Sequence, residues 1–189
     1  MLDASACVAA HDAANVIALS ALSCACACGL AGALSARLVT AIFIAYILLD
    51  GAWIALWPRA VPSGARLVVT HHAVTMVLLA HAARHPERAM ETCRNGLVEA
   101  NTLFLILRRR ATRGTLAHRA WNLAYVWTLI PVRFVWQPYL FARFVELTSG
   151  DDFLERFSVL GSQAFLLGFN VWLVARRRAS AVSAKTKDS

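Results

Sequence analysis

Charge is scarce in this chain. Only 16% of its 189 residues are Asp, Glu, Lys or Arg, where a soluble domain carries about 25%. Acidic side chains are the rarest, 11 against 19 Lys plus Arg. No Lys or Arg precedes the first apolar block, and that block exceeds the roughly 7–15 apolar residues of a secretory signal core. Leu34-Ser35-Ala36 before Arg37 offers a cleavage-like alternative, but a retained helix is the expectation. The five cysteines do not form a disulfide framework. Cys24, Cys26 and Cys28 alternate inside an apolar block, a spacing that scatters side chains around a helix and suits packing better than metal binding. Histidine is limited to six residues, too few for the repeated clusters of membrane di-iron hydroxylases and desaturases. Only His71 and His72 adjoin, with His81 and His85 towards one end and His11 and His118 towards the other.

What the chain has is hydrocarbon. Hydrophobic residues make up 59% of it, in blocks approaching the ~20 residues that cross a ~30 Å apolar layer. The pattern predicts an all-α polytopic membrane helix bundle with six transmembrane helices. The first runs from Ala13 to Leu34, and the second from Leu38 to Trp57, closed by Pro58. The third covers Leu67 to Ala83. A weaker fourth, Thr92 to Leu107, is interrupted by Arg94, Asn95, Glu99 and Asn101. The fifth, Ala120 to Val145, contains Pro131 and Pro138 and is expected to kink at one of them. The sixth is Phe157 to Ala175. On this reading residues 1–12 are a short cytosolic N-terminus, 13–178 the transmembrane domain and 179–189 a basic cytosolic tail.

A net charge of +8 would suggest nucleic acid in a soluble protein; among long apolar spans it reports orientation instead, and no nucleic-acid partner is expected. Arg59, Arg66, Arg108-Arg109-Arg110, Arg113, Arg119 and Arg176-Arg177-Arg178 share one side with both termini. The opposite loops hold Arg37, Arg84, Arg88 and Arg156, offset by Glu87, Glu146, Asp151, Asp152 and Glu155. The positive-inside rule then places both termini in the cytosol. Trp57, Trp121 and Trp172 fall at that interface as an aromatic belt would. The final Lys185-Thr-Lys187-Asp-Ser matches a KxKxx retrieval signal, read by coat proteins and pointing to the endoplasmic reticulum.

Helical rise converts position into depth. His71 and His72 lie roughly 8–9 Å in from the cytosolic end of the third span, Asp50 about 12 Å in on the second, Glu99 and Asn101 about 10–14 Å in on the fourth, and Asn170 about 9 Å in on the sixth. Ionisable groups at a helix centre cost ~2.5–3.5 kcal/mol and face the bundle interior with partners. These residues are therefore expected to form one inward cluster, in which Asp50 or Glu99 holds an imidazole and sets its tautomer. Adjacent positions point about 100° apart, so only one of the two rings is expected to face a pocket directly; which one is open. Thr75 shares a face with His71. Arg133, roughly 20 Å in on the fifth span, is expected apart, paired with Gln163 or holding a lipid headgroup.

HHAVT at His71–Thr75 and VEANTLFLILRR at Val98–Arg109, with Asp50 and Arg133 in flanking spans, resemble the TLC-domain family over about residues 38–177. The resemblance implies a membrane helix bundle acting on lipids, with His71, His72, Asp50 and Glu99 as its catalytic candidates and Asn101, Thr75, Asn170 and Arg133 as lipid-binding candidates. The family includes ceramide synthases, which join an acyl-CoA to a sphingoid base. Their HD-x-x-D element corresponds here to Val98-Glu99-Ala100-Asn101-Thr102, without its histidine and with Glu99 and Thr102 for the aspartates; this looks more like the small TLC-domain-only proteins. The enzyme expectation is acyl-CoA-dependent N-acylation, acyl-CoA being a co-substrate and no cofactor or metal being held. The other expectation is a non-enzymatic lipid-binding regulator or trafficking adaptor. Expected partners are membrane lipids, the coat proteins that read the tail, and a second copy of the chain in a homodimer.

Overall fold

The computed structural model describes residues 3–62 and 64–185, with side chains to 175. These residues are helical apart from short connections, with no strand among them. Helices α1 (Ala4–Leu30), α2 (Ala36–Leu56) and α3 (Ala65–Arg84) are followed by α4 (Met90–Gly96), α5 (Val98–Arg110), α6 (Leu116–Ile130), α7 (Gln137–Leu147) and α8 (Phe153–Lys185). Four segments are long and apolar enough to cross a membrane: Ala4–Leu30, Ala36–Leu56, Ala65–Arg84 and Phe153–Ala175. Their outer faces carry large exposed apolar side chains, among them Ile17, Leu49 and Phe157, a surface suited to lipid rather than water.

Helix ends follow local chemistry. α2 and α3 stop just before Pro58 and Pro86, each of which opens a 3-10 turn, because a proline disfavours helical geometry in the residue before it. α1 closes with a positive-φ Gly32 (φ 75°), with Ala33 N–H donating to Cys28 O and Gly32 N–H to Gly29 O. That pair of bonds satisfies carbonyls a helix end would leave orphaned. Thr115 caps α6 by accepting from the His118 amide at 3.2 Å.

The first helix starts at Ala4, so residues 4–12 belong to the bundle instead of a free cytosolic N-terminus. Buried Asp12 takes both Arg109 Nε (2.8 Å) and a second Arg109 nitrogen, pinning the start of α1 to the end of α5. The fourth predicted span is two helices joined at Leu97. The fifth is one rod whose middle turn, Pro131–Trp136, is π-helical. Its proline cannot donate an amide, so the ladder rearranges there.

α1 and α4 approach closely through paired small residues. Cys26 of α1 lies against Gly96 of α4, and Cys93 of α4 against Gly29 of α1. A Cβ on Gly29 would come within 2.6 Å of Cys93 Sγ, and one on Gly96 would collide with Cys26 Sγ. This is the small-residue packing that lets membrane helices touch backbone to backbone. Cys26 and Cys93 are fully buried in a core with Leu22, Val39, Phe43 and Leu79, whereas Cys24 is exposed.

Candidate functional site

Asp50, on the inward face of α2, is the hub of the polar interior. Its Oδ2 lies 2.6 Å from His72 Nε2, and its Oδ1 lies 2.9 Å from both His11 Nε2 and Asn15 Nδ2. Asn15 in turn accepts from the Tyr46 hydroxyl at 3.2 Å. Asp50, His11, His72 and Asn15 are all at least nine-tenths buried. A buried carboxylate is tolerable only with such partners, because desolvation otherwise outweighs any single attraction. With both oxygens accepting, each imidazole must carry its proton on Nε2. The lone pair of His72 then sits on Nδ1, a buried atom with no hydrogen-bond partner in the protein.

His71 lies beside it, ring centroids 5.7 Å apart, and stacks on Phe169 at 4.7 Å with 19° between planes. Its Nδ1 is likewise buried and unpartnered. Both rings line a cavity of about 240 Å³ between the helices. Asp50, Thr75, Glu99, Arg133 and Asn170 contribute to the same walls. Thr75 turns its hydroxyl back to the His71 carbonyl at 2.9 Å. The imidazole-holding carboxylate is Asp50.

Arg133 is not apart from this layer. Its Nε donates to Asn101 Oδ1 (2.8 Å), and its two terminal nitrogens donate to Asn170 Oδ1 (2.5 Å) and Thr102 Oγ1 (2.8 Å). Depth counted along one helix misplaced it for two reasons: the π-helical turn changes the rise and aim of residues 131–136, and an arginine's long stem carries its charge well away from its own Cα. Gln163 bonds instead to Asn95 at 3.2 Å. Asn101 does not line the cavity. It is 1% exposed and donates to the Tyr125 carbonyl and Thr128 Oγ1 while orienting Arg133.

His11, Asn15 and Tyr46 were not among the residues expected from the sequence. The signal for His11 was present: with Asn15 four residues on, it places two polar groups on one face of an alanine-rich segment that is itself helical. Glu91, buried on α4 and held by Arg94 and by Arg143 (2.8 Å), was also missed.

The dyad Asp50–His72 can take a proton at Nδ1, with Asp50 stabilising the imidazolium that results. The Lys185–Lys187 tail signal lies outside the described side chains. Comparisons with protein-family models, characterised proteins and solved structures find no match to this chain.

Proposed function

We propose that the chain is a six-span membrane enzyme of lipid metabolism that transfers an acyl group from acyl-CoA to a lipid amine. The observation that carries this reading is the buried Asp50–His72 pair, its Nδ1 without a partner, on a residue that lines the cavity. Amide formation needs a base in such a place: an ammonium or amine in hydrocarbon cannot shed its proton to solvent. The amine nitrogen attacks the thioester carbonyl, His72 Nδ1 takes its proton, and CoA leaves as a thiolate that receives a proton to become the thiol. The products are the N-acyl lipid and free CoA. Asp50 fixes the tautomer, His11 and Asn15 hold Asp50, and Phe169 with His71 forms the adjoining wall.

The acyl chain has apolar cavity lining available from Leu78, Leu79, Phe144 and Leu166. The arginine-rich end, with Arg109 at the cavity's edge, suits an anionic co-substrate approaching from the cytosol, as the positive-inside pattern requires. The resemblance to TLC-domain proteins and the tail signal support a location in the endoplasmic reticulum. The test is product formation from labelled acyl-CoA and a sphingoid base in membranes expressing the chain. An N-acyl product that disappears with His72→Ala supports the assignment; bound lipid without product at matched expression favours the lipid-binding alternative.

A further inference from the structure

A second cluster lies at the other end of α3, where the connecting turns gather. His81 lies in the last turn of α3 and His85 is its non-helical C-cap, and their ring centroids are 4.6 Å apart. Glu155, from the first turn of α8, points between them. Its Oε1 is 3.1 Å from His81 Nδ1 and 3.0 Å from His85 Nε2, and one ligand atom from each of the three residues lies within 4.8 Å of the others.

We propose that His81, His85 and Glu155 form a divalent-cation site, with zinc the best-fitting ion. The donor set of two imidazoles and one carboxylate is one that zinc takes with a fourth position open. Tetrahedral bonds of ~2.0–2.1 Å place ligand atoms about 3.3 Å apart, so the 3.0 and 3.1 Å separations to Glu155 open by a few tenths of an ångström while the two imidazole nitrogens, within 4.8 Å of each other, close to the same spacing. The site has a sealed side and an open side: His81 is 1% exposed, whereas the side chains of His85 and Glu155 are 30% and 18% exposed. An ion therefore has a route in from the end of the bundle without crossing the apolar core.

Metal binding rearranges the contacts around His81. Arg88 approaches His81 Nε2 at 3.1 Å and is itself held by Asp151 at 2.5 and 2.7 Å. When His81 Nδ1 gives its lone pair to a metal, the ring proton resides on Nε2. Arg88 then yields and the neighbouring carboxylate of Asp151 becomes the natural acceptor, the arrangement that orients most ligating histidines. Two cations compete for the same ground, since Arg84 also reaches Glu155 at 3.6 Å. The ion would tie the end of α3 to the start of α8 across 70 residues of sequence. His81 and Arg88 also line the cavity, so the clamp closes its end remote from His72.

Metal titration of the purified full chain in detergent, after chelator treatment, tests this without reference to the acyl-transfer reading. One zinc per chain is expected at micromolar metal, with a tetrahedral visible spectrum when cobalt replaces it. Glu155→Gln and His85→Asn should each weaken binding by at least ~10–100-fold, the loss typical even of outer-shell partners. His72→Asn should leave binding unchanged, which separates this site from the Asp50 cluster. Absence of stoichiometric binding, an octahedral cobalt spectrum, or binding lost in His72→Asn but kept in Glu155→Gln overturns the proposal. If the variants do not fold, the stoichiometry and cobalt spectrum of the unaltered chain decide alone.

Discussion

Replacing Asp50 by asparagine keeps the shape of the hub and removes its charge. Oδ1 accepts from two groups, His11 and Asn15, and Oδ2 from one, His72. The new amide nitrogen therefore settles on the His72 side, where it meets only one donor. His72 escapes the N–H to N–H clash by moving its proton to Nδ1 and accepting from the introduced amide at Nε2. Three bonds to a charged group, worth ~1.5–3 kcal/mol each, become neutral bonds worth ~0.5–1.5. The expected destabilisation is about 3–4.5 kcal/mol, enough to lower the thermal midpoint. The chemical consequence is larger. The lone pair leaves Nδ1, and a base in the wrong tautomer costs about 10⁴ in turnover, the loss the Asp→Asn change causes in the serine protease triad. The assay is labelled N-acyl product per unit of folded protein, beside thermal unfolding in detergent. A folded Asp50→Asn variant within tenfold of wild-type turnover would refute the claim that Asp50 sets the tautomer of His72.

Three further outcomes follow from the packing and the charges. Gly96→Ala gains about 1 kcal/mol of helix propensity but drives a Cβ into Cys26 Sγ and to 3.3 Å from Phe43, an overpacking cost of roughly 1–3 kcal/mol. Cys26→Ala should rescue it, and independent effects of the two changes in a double-mutant cycle would contradict the close α1–α4 contact. Arg133→Met strands acceptors on Asn101, Asn170 and Thr102 at about 1–3 kcal/mol for each one left unsatisfied. Arg133→Lys, lacking the planar fork, should fall between it and wild type in thermal stability; equal stability of all three would show the arginine to be peripheral. The Arg88 guanidinium holds the Asp151 carboxyl below its usual 3.8. The pair's contribution is therefore complete above that value and lost as pH falls through the lower folded-state value. The stability gap between wild type and Asp151→Asn should shrink as pH falls below 3.8; a gap that instead closes near neutrality would contradict the Arg88–Asp151 pair as its source.

The parts legible in the sequence were those written in local chemistry. Pro58 ended its helix where expected, and Pro131 marked the altered turn in the fifth rod. Asp50 and the His71–His72 pair stood out because ionisable groups within apolar runs must find interior partners. His11 was lost because the alanine-rich start of α1 lacks the bulk that signals a span, so depth was counted from Ala13 and the true first turns were assigned to a tail. Arg133 was displaced by counting along an ideal helix through a π-helical turn. The meeting of His81 and His85 with Glu155 was invisible for a different reason. Only the return of α8 beside α3 brings residues 70 positions apart together, and no periodicity encodes that.

The most direct test of the central claim is turnover by the purified chain, reconstituted in lipid and supplied with labelled acyl-CoA and a sphingoid base. Product that scales with the amount of chain, and that vanishes in a folded His72→Ala variant, is the expected result. A folded, lipid-binding chain that forms no product, or one whose product survives loss of His72, would contradict a base at Nδ1 of that ring.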